Sequence, residues 1–114
     1  MFQYCTSLTT APQLPATTLV NSCYTGMFAG CTSLTTAPEL PAMTLAANCY
    51  SNMFYGCSSL NYIKALFTTE PSRSYTYNWV SDVASTGTFI KDVYADWTTS
   101  GTNGVPTNWT IETN

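Results

Sequence analysis

The chain has 114 residues, a net charge of −3 and no histidine. Only 8% of its residues are charged, against about 25% in an ordinary globular protein, and the cations are Lys64, Arg73 and Lys91. No basic footprint for nucleic acid exists, no apolar run reaches the ~18 residues of a helical membrane span, and the commonest general base and nucleophile activator is missing.

A 26-residue unit runs twice and starts a third time, as MFQYCTSLTTAPQLPATTLVNSCYTG, MFAGCTSLTTAPELPAMTLAANCYSN and MFYGCSSL. Self-similarity at such a period predicts units that stack on one another and bury a shared core. The expected fold class is an α/β repeat solenoid with a narrow parallel sheet and a C-terminal β-rich cap. Residues 1–66 are expected to form the stack and residues 67–114 the cap. No basic stretch leads into an apolar one at the start, so no secretion leader is read there. Met1 aligns with Met27 and Met53, which suggests a piece excised from a longer stack, uncapped at its N-terminal end.

Within each unit, residues 44–55 have helical features. Leu45, Cys49 and Met53 fall four apart, Thr44 suits an N-cap, and Gly56 suits a left-handed C′ residue. Leu19, Cys23, Met27 and Gly30 repeat the arrangement, whereas the first copy has Tyr4 at the glycine position. A short strand is expected near residues 34–37. Pro12, Pro15, Pro38 and Pro41 would lie above one another, lack N–H donors and hold the sheet to about two to four residues per rung.

The strings MFAGCTSL at 27–34 and MFYGCSSL at 53–60, with MFQYCTSL as a looser copy, resemble the BspA-like branch of bacterial leucine-rich repeats. The resemblance covers roughly residues 1–66 and departs in the proline-bearing TAPELP segment. It implies an extracellular or cell-surface bacterial protein that adheres to a host protein, another microbe or a glycan.

Beyond residue 60 the repeat is lost. Residues 60–66 read as a last rung, 68–74 as a loop, and 75–83 and 88–93 as strands joined by a hairpin turn at 84–87. A loop around Gly101, Gly104 and Pro106 precedes a final strand at 109–113. GTFIKD and DWTTSGTNGVPTNWTI are similar to the tail found after such repeats in gut Bacteroidetes and phage-associated surface proteins. Trp79, Trp97 and Trp109 lie in this cap, where at least two are needed to seal the core.

The cysteines form two periodic series, Cys5–Cys31–Cys57 and Cys23–Cys49. They are either a column of small buried hydrophobes or one disulfide per turn, Cys23–Cys31 and Cys49–Cys57. Zinc is disfavoured because neither histidine nor a C-x₂-C pair occurs. Asp82, Asp92 and Asp96 offer a carboxylate pair or a calcium site on residue type alone, yet read better as solvated charges around the cap.

The expected function is therefore non-catalytic binding, with no catalytic residue, metal or cofactor. The surface is assigned to Thr9, Thr35 and Asn61 in one outward column and Thr10, Thr36 and Tyr62 in the next, with Tyr55 and Trp97 as exposed aromatics. The partner would be a protein or glycan, neither nucleic acid nor membrane. The alternative is a structural module of a phage tail fibre or surface appendage, oligomerising or stacking at the uncapped N-terminal end.

Overall fold

In the computed structural model, which describes residues 2–14 and 17–114, backbone hydrogen bonds of residues 48–57 alternate in destination. The odd-numbered N–H groups turn back on their own chain. Cys49 donates to the Ala46 carbonyl, Ser51 to Asn48, Met53 to Tyr50, Tyr55 to Asn52 and Cys57 to Phe54, at 3.0–3.3 Å. The even-numbered groups reach the next coil, with Asn48 donating to Ser74, Tyr50 to Tyr75, Asn52 to Tyr77, Phe54 to Trp79 and Gly56 to Ser81, at 2.6–3.0 Å. The same alternation occurs one unit earlier. There Ser22, Tyr24, Gly26, Phe28 and Gly30 donate to Ala47, Cys49, Ser51, Met53 and Tyr55. Every N–H in the run is satisfied, half of them within a coil and half between coils.

This ribbon of turns requires a left-handed residue at every fourth position. Ser22, Gly26 and Gly30 have φ of 59°, 63° and 75°, and Asn48, Asn52 and Gly56 have 55°, 54° and 75°. Each is the third residue of one three-back turn, where a type II turn needs positive φ. The sequence supplies Gly, Asn or Ser there, small residues or ones whose side chains bond locally.

The expected helix over residues 44–55 is thereby overturned, and the α/β repeat solenoid with it. No helix occurs among the described residues. The stripe Leu45, Cys49, Met53 and Cys57 is buried, but its period is four. In an α-helix each such step precesses by about 40°, so the fourth member would stand about 120° off the first. A ribbon of turns keeps all four in line, and Gly56 serves a turn, not a helix end.

The regular sheet has three parallel strands of four residues, β1 (Tyr62–Ala65), β2 (Thr88–Lys91) and β3 (Thr110–Thr113), in the order β1-β2-β3. Tyr62 pairs with Thr88, and Thr88 with Thr110. Single parallel bridges, Thr10 to Thr36 and Thr36 to Tyr62, carry the same column back through the earlier coils. There Pro12, Pro38 and Pro41 lack donors and pairing stays at isolated bridges. Met1 and Pro15, both part of the repeat pattern, lie outside the described residues.

The expected hairpin cap is also absent. Residues 75–83 continue the turn ribbon, with Asn78 and Asp82 at φ of 50° and 63°. β2 pairs in parallel with β1, so residues 84–87 do not close a hairpin. The 26-residue step therefore runs past residue 66 to Thr88 and shortens to 22 only between Thr88 and Thr110. The final expected strand at 109–113 corresponds to β3. The Cα envelope measures 35 × 30 × 22 Å.

Aromatic columns run through the stacked coils. Phe2, Phe28 and Phe54 stack at 5.5 and 5.9 Å, Tyr24 and Tyr50 at 6.1 Å, and both columns end on Trp79. All three tryptophans are buried, and each satisfies its indole N–H on a distant carbonyl. Trp79 donates to Gly104 at 3.0 Å, Trp97 to Phe67 at 3.1 Å and Trp109 to Ala84 at 2.8 Å. The Trp79 and Trp109 bonds tie residues 104–109 to the coil of residues 79–84.

Gly30 tests the ribbon. A Cβ there would meet the Tyr4 ring at 2.5 Å as well as the positive φ. Gly30→Ala should destabilise the fold by about 1–3 kcal/mol. Chemical denaturation of Gly30→Ala in a Tyr4→Ala background should recover the steric share and leave the φ cost.

Candidate functional site

The outward face of the sheet is set by register. In β1, Ile63 and Ala65 point into the core, while Tyr62 and Lys64 point away. Because Thr10, Thr36, Tyr62, Thr88 and Thr110 are bridged in sequence, their side chains form one column, with neighbours about 4.8 Å apart along the hydrogen-bonding direction. Thr10, Thr36 and Thr110 are exposed, and Tyr62 and Thr88 half-buried.

Thr9, Thr35 and Asn61 lie beside this column, all exposed. The Asn61 N–H donates to Thr35 at 3.0 Å and the Thr88 N–H to Asn61 at 3.0 Å, which fixes the spacing of this second row. The row stops at Gly87, where a Cβ would meet the Asn61 carbonyl at 2.6 Å and the Trp109 ring at 2.8 Å. Lys64 pairs with Glu39 at 3.8 Å, and Glu39 joins Gln13, Leu14 and Pro41 around a shallow cleft of about 320 Å³. The structure thus brings together six of the expected surface residues, Thr9, Thr10, Thr35, Thr36, Asn61 and Tyr62.

Tyr55 is 44% exposed but belongs to the turn ribbon, where its carbonyl accepts the Gly30 N–H at 2.7 Å. Trp97 is not a surface residue. It is 3% exposed, stacks on Phe67 at 5.3 Å and carries Lys91 Nζ at 4.8 Å over its ring. Lys91 also donates to the Trp97 carbonyl at 2.7 Å. This cation is buried because a carbonyl and an aromatic face both receive it. Thr88 and Thr110 extend the outward column; Thr88 was legible by counting 26 residues on from Tyr62, whereas Thr110, 22 residues further, falls outside that period. Tyr94, 84% exposed, had no repeat partner to mark it.

The carboxylates do not converge. Asp92 Oδ1 accepts the Tyr94 N–H at 2.8 Å in a tight turn, and Asp82 sits at a left-handed ribbon position. Residues 92–96 are not helical, so Asp92 and Asp96 do not share a helix face. Among the described residues no group of three or more His, Cys, Asp or Glu side chains is placed to hold a metal ion. No helix there is long and apolar enough to cross a membrane.

All five cysteines are free, so neither Cys23–Cys31 nor Cys49–Cys57 is bonded. The thiols instead link coils. Cys31 Sγ donates to the Phe2 carbonyl at 2.8 Å, and Cys57 Sγ to the Phe28 carbonyl at 3.0 Å. The Phe2 and Phe28 carbonyls also accept the N–H of Cys5 and Cys31, so each is shared by its own coil and the next. Burial pushes the Cys31, Cys49 and Cys57 thiols up, Cys49 to about 11 and Cys57 to about 12. These sulfurs are structural, since only a thiolate is an effective nucleophile.

That shift has a sign. The ordinary thiol value is 9.0, so the unfolded chain loses these protons first as pH rises. The stabilisation is complete below pH 9 and is lost progressively up to pH 12. Urea midpoints should fall across this window, and Cys57→Ser should lessen the fall while retaining a donor to Phe28. Ellman titration of the native protein should count Cys5 and Cys23 quickly, with Cys31, Cys49 and Cys57 appearing only on unfolding.

No family model, curated protein or solved structure matches this chain. None of these comparisons identifies a BspA-like protein.

Proposed function

We propose that this protein is a non-catalytic binding module of a bacterial surface or secreted protein, which adheres to a host protein or glycan through its outward threonine face. One observation carries the reading. Five residues from successive coils, Thr10, Thr36, Tyr62, Thr88 and Thr110, are locked in one column by parallel pairing, with Thr9, Thr35 and Asn61 exposed beside them. Each hydroxyl both donates and accepts, and the Tyr62 ring adds apolar area near the centre. A regular row of weak polar contacts gains strength by addition along a repeating ligand, and its rigidity limits the ordering cost of binding. The low charge density of the chain leaves hydroxyl and aromatic chemistry as its chief means of recognition.

The test is a binding screen against immobilised mucin, matrix proteins and a glycan array. Tyr62→Ala should weaken capture about tenfold, and Thr36→Ala about threefold, on the scale of a central aromatic and a single hydroxyl. Neither change should move the thermal midpoint by more than about 3 °C. Capture that persists unchanged in the Thr36→Ala/Tyr62→Ala double variant would place the ligand elsewhere.

A further inference from the structure

Each turn ribbon receives N–H groups from the coil before it. The carbonyls of Ala47, Cys49, Ser51, Met53 and Tyr55 accept from the ribbon of residues 22–30. One unit earlier, the equivalent acceptors are Asn21, Cys23, Thr25, Met27 and Ala29. Phe2 and Tyr4 donate to Met27 and Ala29. Among the described residues, no backbone N–H donates to Asn21, Cys23 or Thr25.

The side-chain columns stop at the same edge. Tyr24 stacks on Tyr50, and Phe2 on Phe28, with no described ring on their outer faces. Leu19, Cys23, Tyr24 and Met27 are half-buried and Thr25 is exposed. Their equivalents Leu45, Cys49, Tyr50, Met53 and Ser51 are all buried.

We propose that this edge is a docking surface for one further coil of the same repeat, which aims alternate N–H groups at Asn21, Cys23 and Thr25. Carbonyls two residues apart need donors two residues apart, at the spacing of the ribbon. In a chain of β-turns, residues three apart lie within about 7 Å, whereas an extended strand separates them by about 10 Å and loses step. An α-helix spends its N–H groups along its own axis. Only another ribbon stays in register.

A second copy of the chain does not meet these terms. Two such edges face to face would set carbonyls against carbonyls. At the opposite end, the N–H groups of Gly101, Gly104, Val105 and Trp109 donate within their own loop, and Pro106 has none. The docking surface is separate from the threonine face and stands whether or not that face binds a ligand.

The experiment titrates the full chain with a synthetic peptide carrying the sequence of residues 1–26, followed by calorimetry and amide NMR. The expected result is a 1:1 complex with shifts centred on residues 19–27. N-methylation of the peptide at its Tyr24 and Gly26, which removes two of the three docking donors, should weaken binding at least about tenfold. Absence of binding at millimolar peptide would overturn the proposal, as would equal affinity for the N-methylated or a scrambled peptide. Self-association of the chain alone that the peptide competes away would assign the edge to a second copy, and would overturn it too.

Discussion

Everything in this fold depends on backbone N–H groups that alternate between their own coil and the next. Residues 48–57 make five bonds inward and five across, so neither the coil nor the stack forms without the other. Buried N–H groups left unpaired cost more than paired ones return. The two sets therefore act together and fix the number of residues per coil. Adding one residue between ribbons would exchange donors that point across for donors that point inward, much as a one-residue slip inverts a strand. The even 26-residue unit preserves the phase.

Side chains then follow the backbone. A period of four puts Leu45, Cys49, Met53 and Cys57 on one buried line, with Tyr50 and Phe54 adjoining it. Parallel stacking places identical residues over one another, so Phe meets Phe, Tyr meets Tyr, and a thiol reaches the carbonyl of the coil before it. Where the repeat gives way, the indoles of Trp79, Trp97 and Trp109 replace this regularity with individual long-range bonds to carbonyls. The same registration that builds the core sets out hydroxyls on the opposite face at a regular spacing. Core and threonine face are thus two faces of one constraint.

Stacking and the side-chain columns were legible because the unit repeats almost letter for letter. The conformation inside the unit was not. Residues 45, 49 and 53 fit a helical stripe as well as a four-residue ribbon over so short a span. The discriminating residues were Ser22, Gly26 and Gly30, then Asn48, Asn52 and Gly56, poor helix formers at every fourth position. The same spacing survives in Asn78 and Asp82, both left-handed, and so marks the ribbon's continuation where the letters of the repeat have vanished. At the face, Thr9, Thr10, Thr35, Thr36, Asn61 and Tyr62 followed from the period alone. Trp97 did not, because composition cannot tell a free indole from one stacked on Phe67 and bonded to its carbonyl.

The alternating ribbon is most directly tested by scalar couplings across hydrogen bonds in ¹⁵N,¹³C-labelled protein. Correlations should link the Phe28 nitrogen to the Met53 carbonyl carbon, and the Phe54 nitrogen to that of Trp79. Couplings from Phe54 to the carbonyl of Tyr50, four residues back as in an α-helix, would contradict the account.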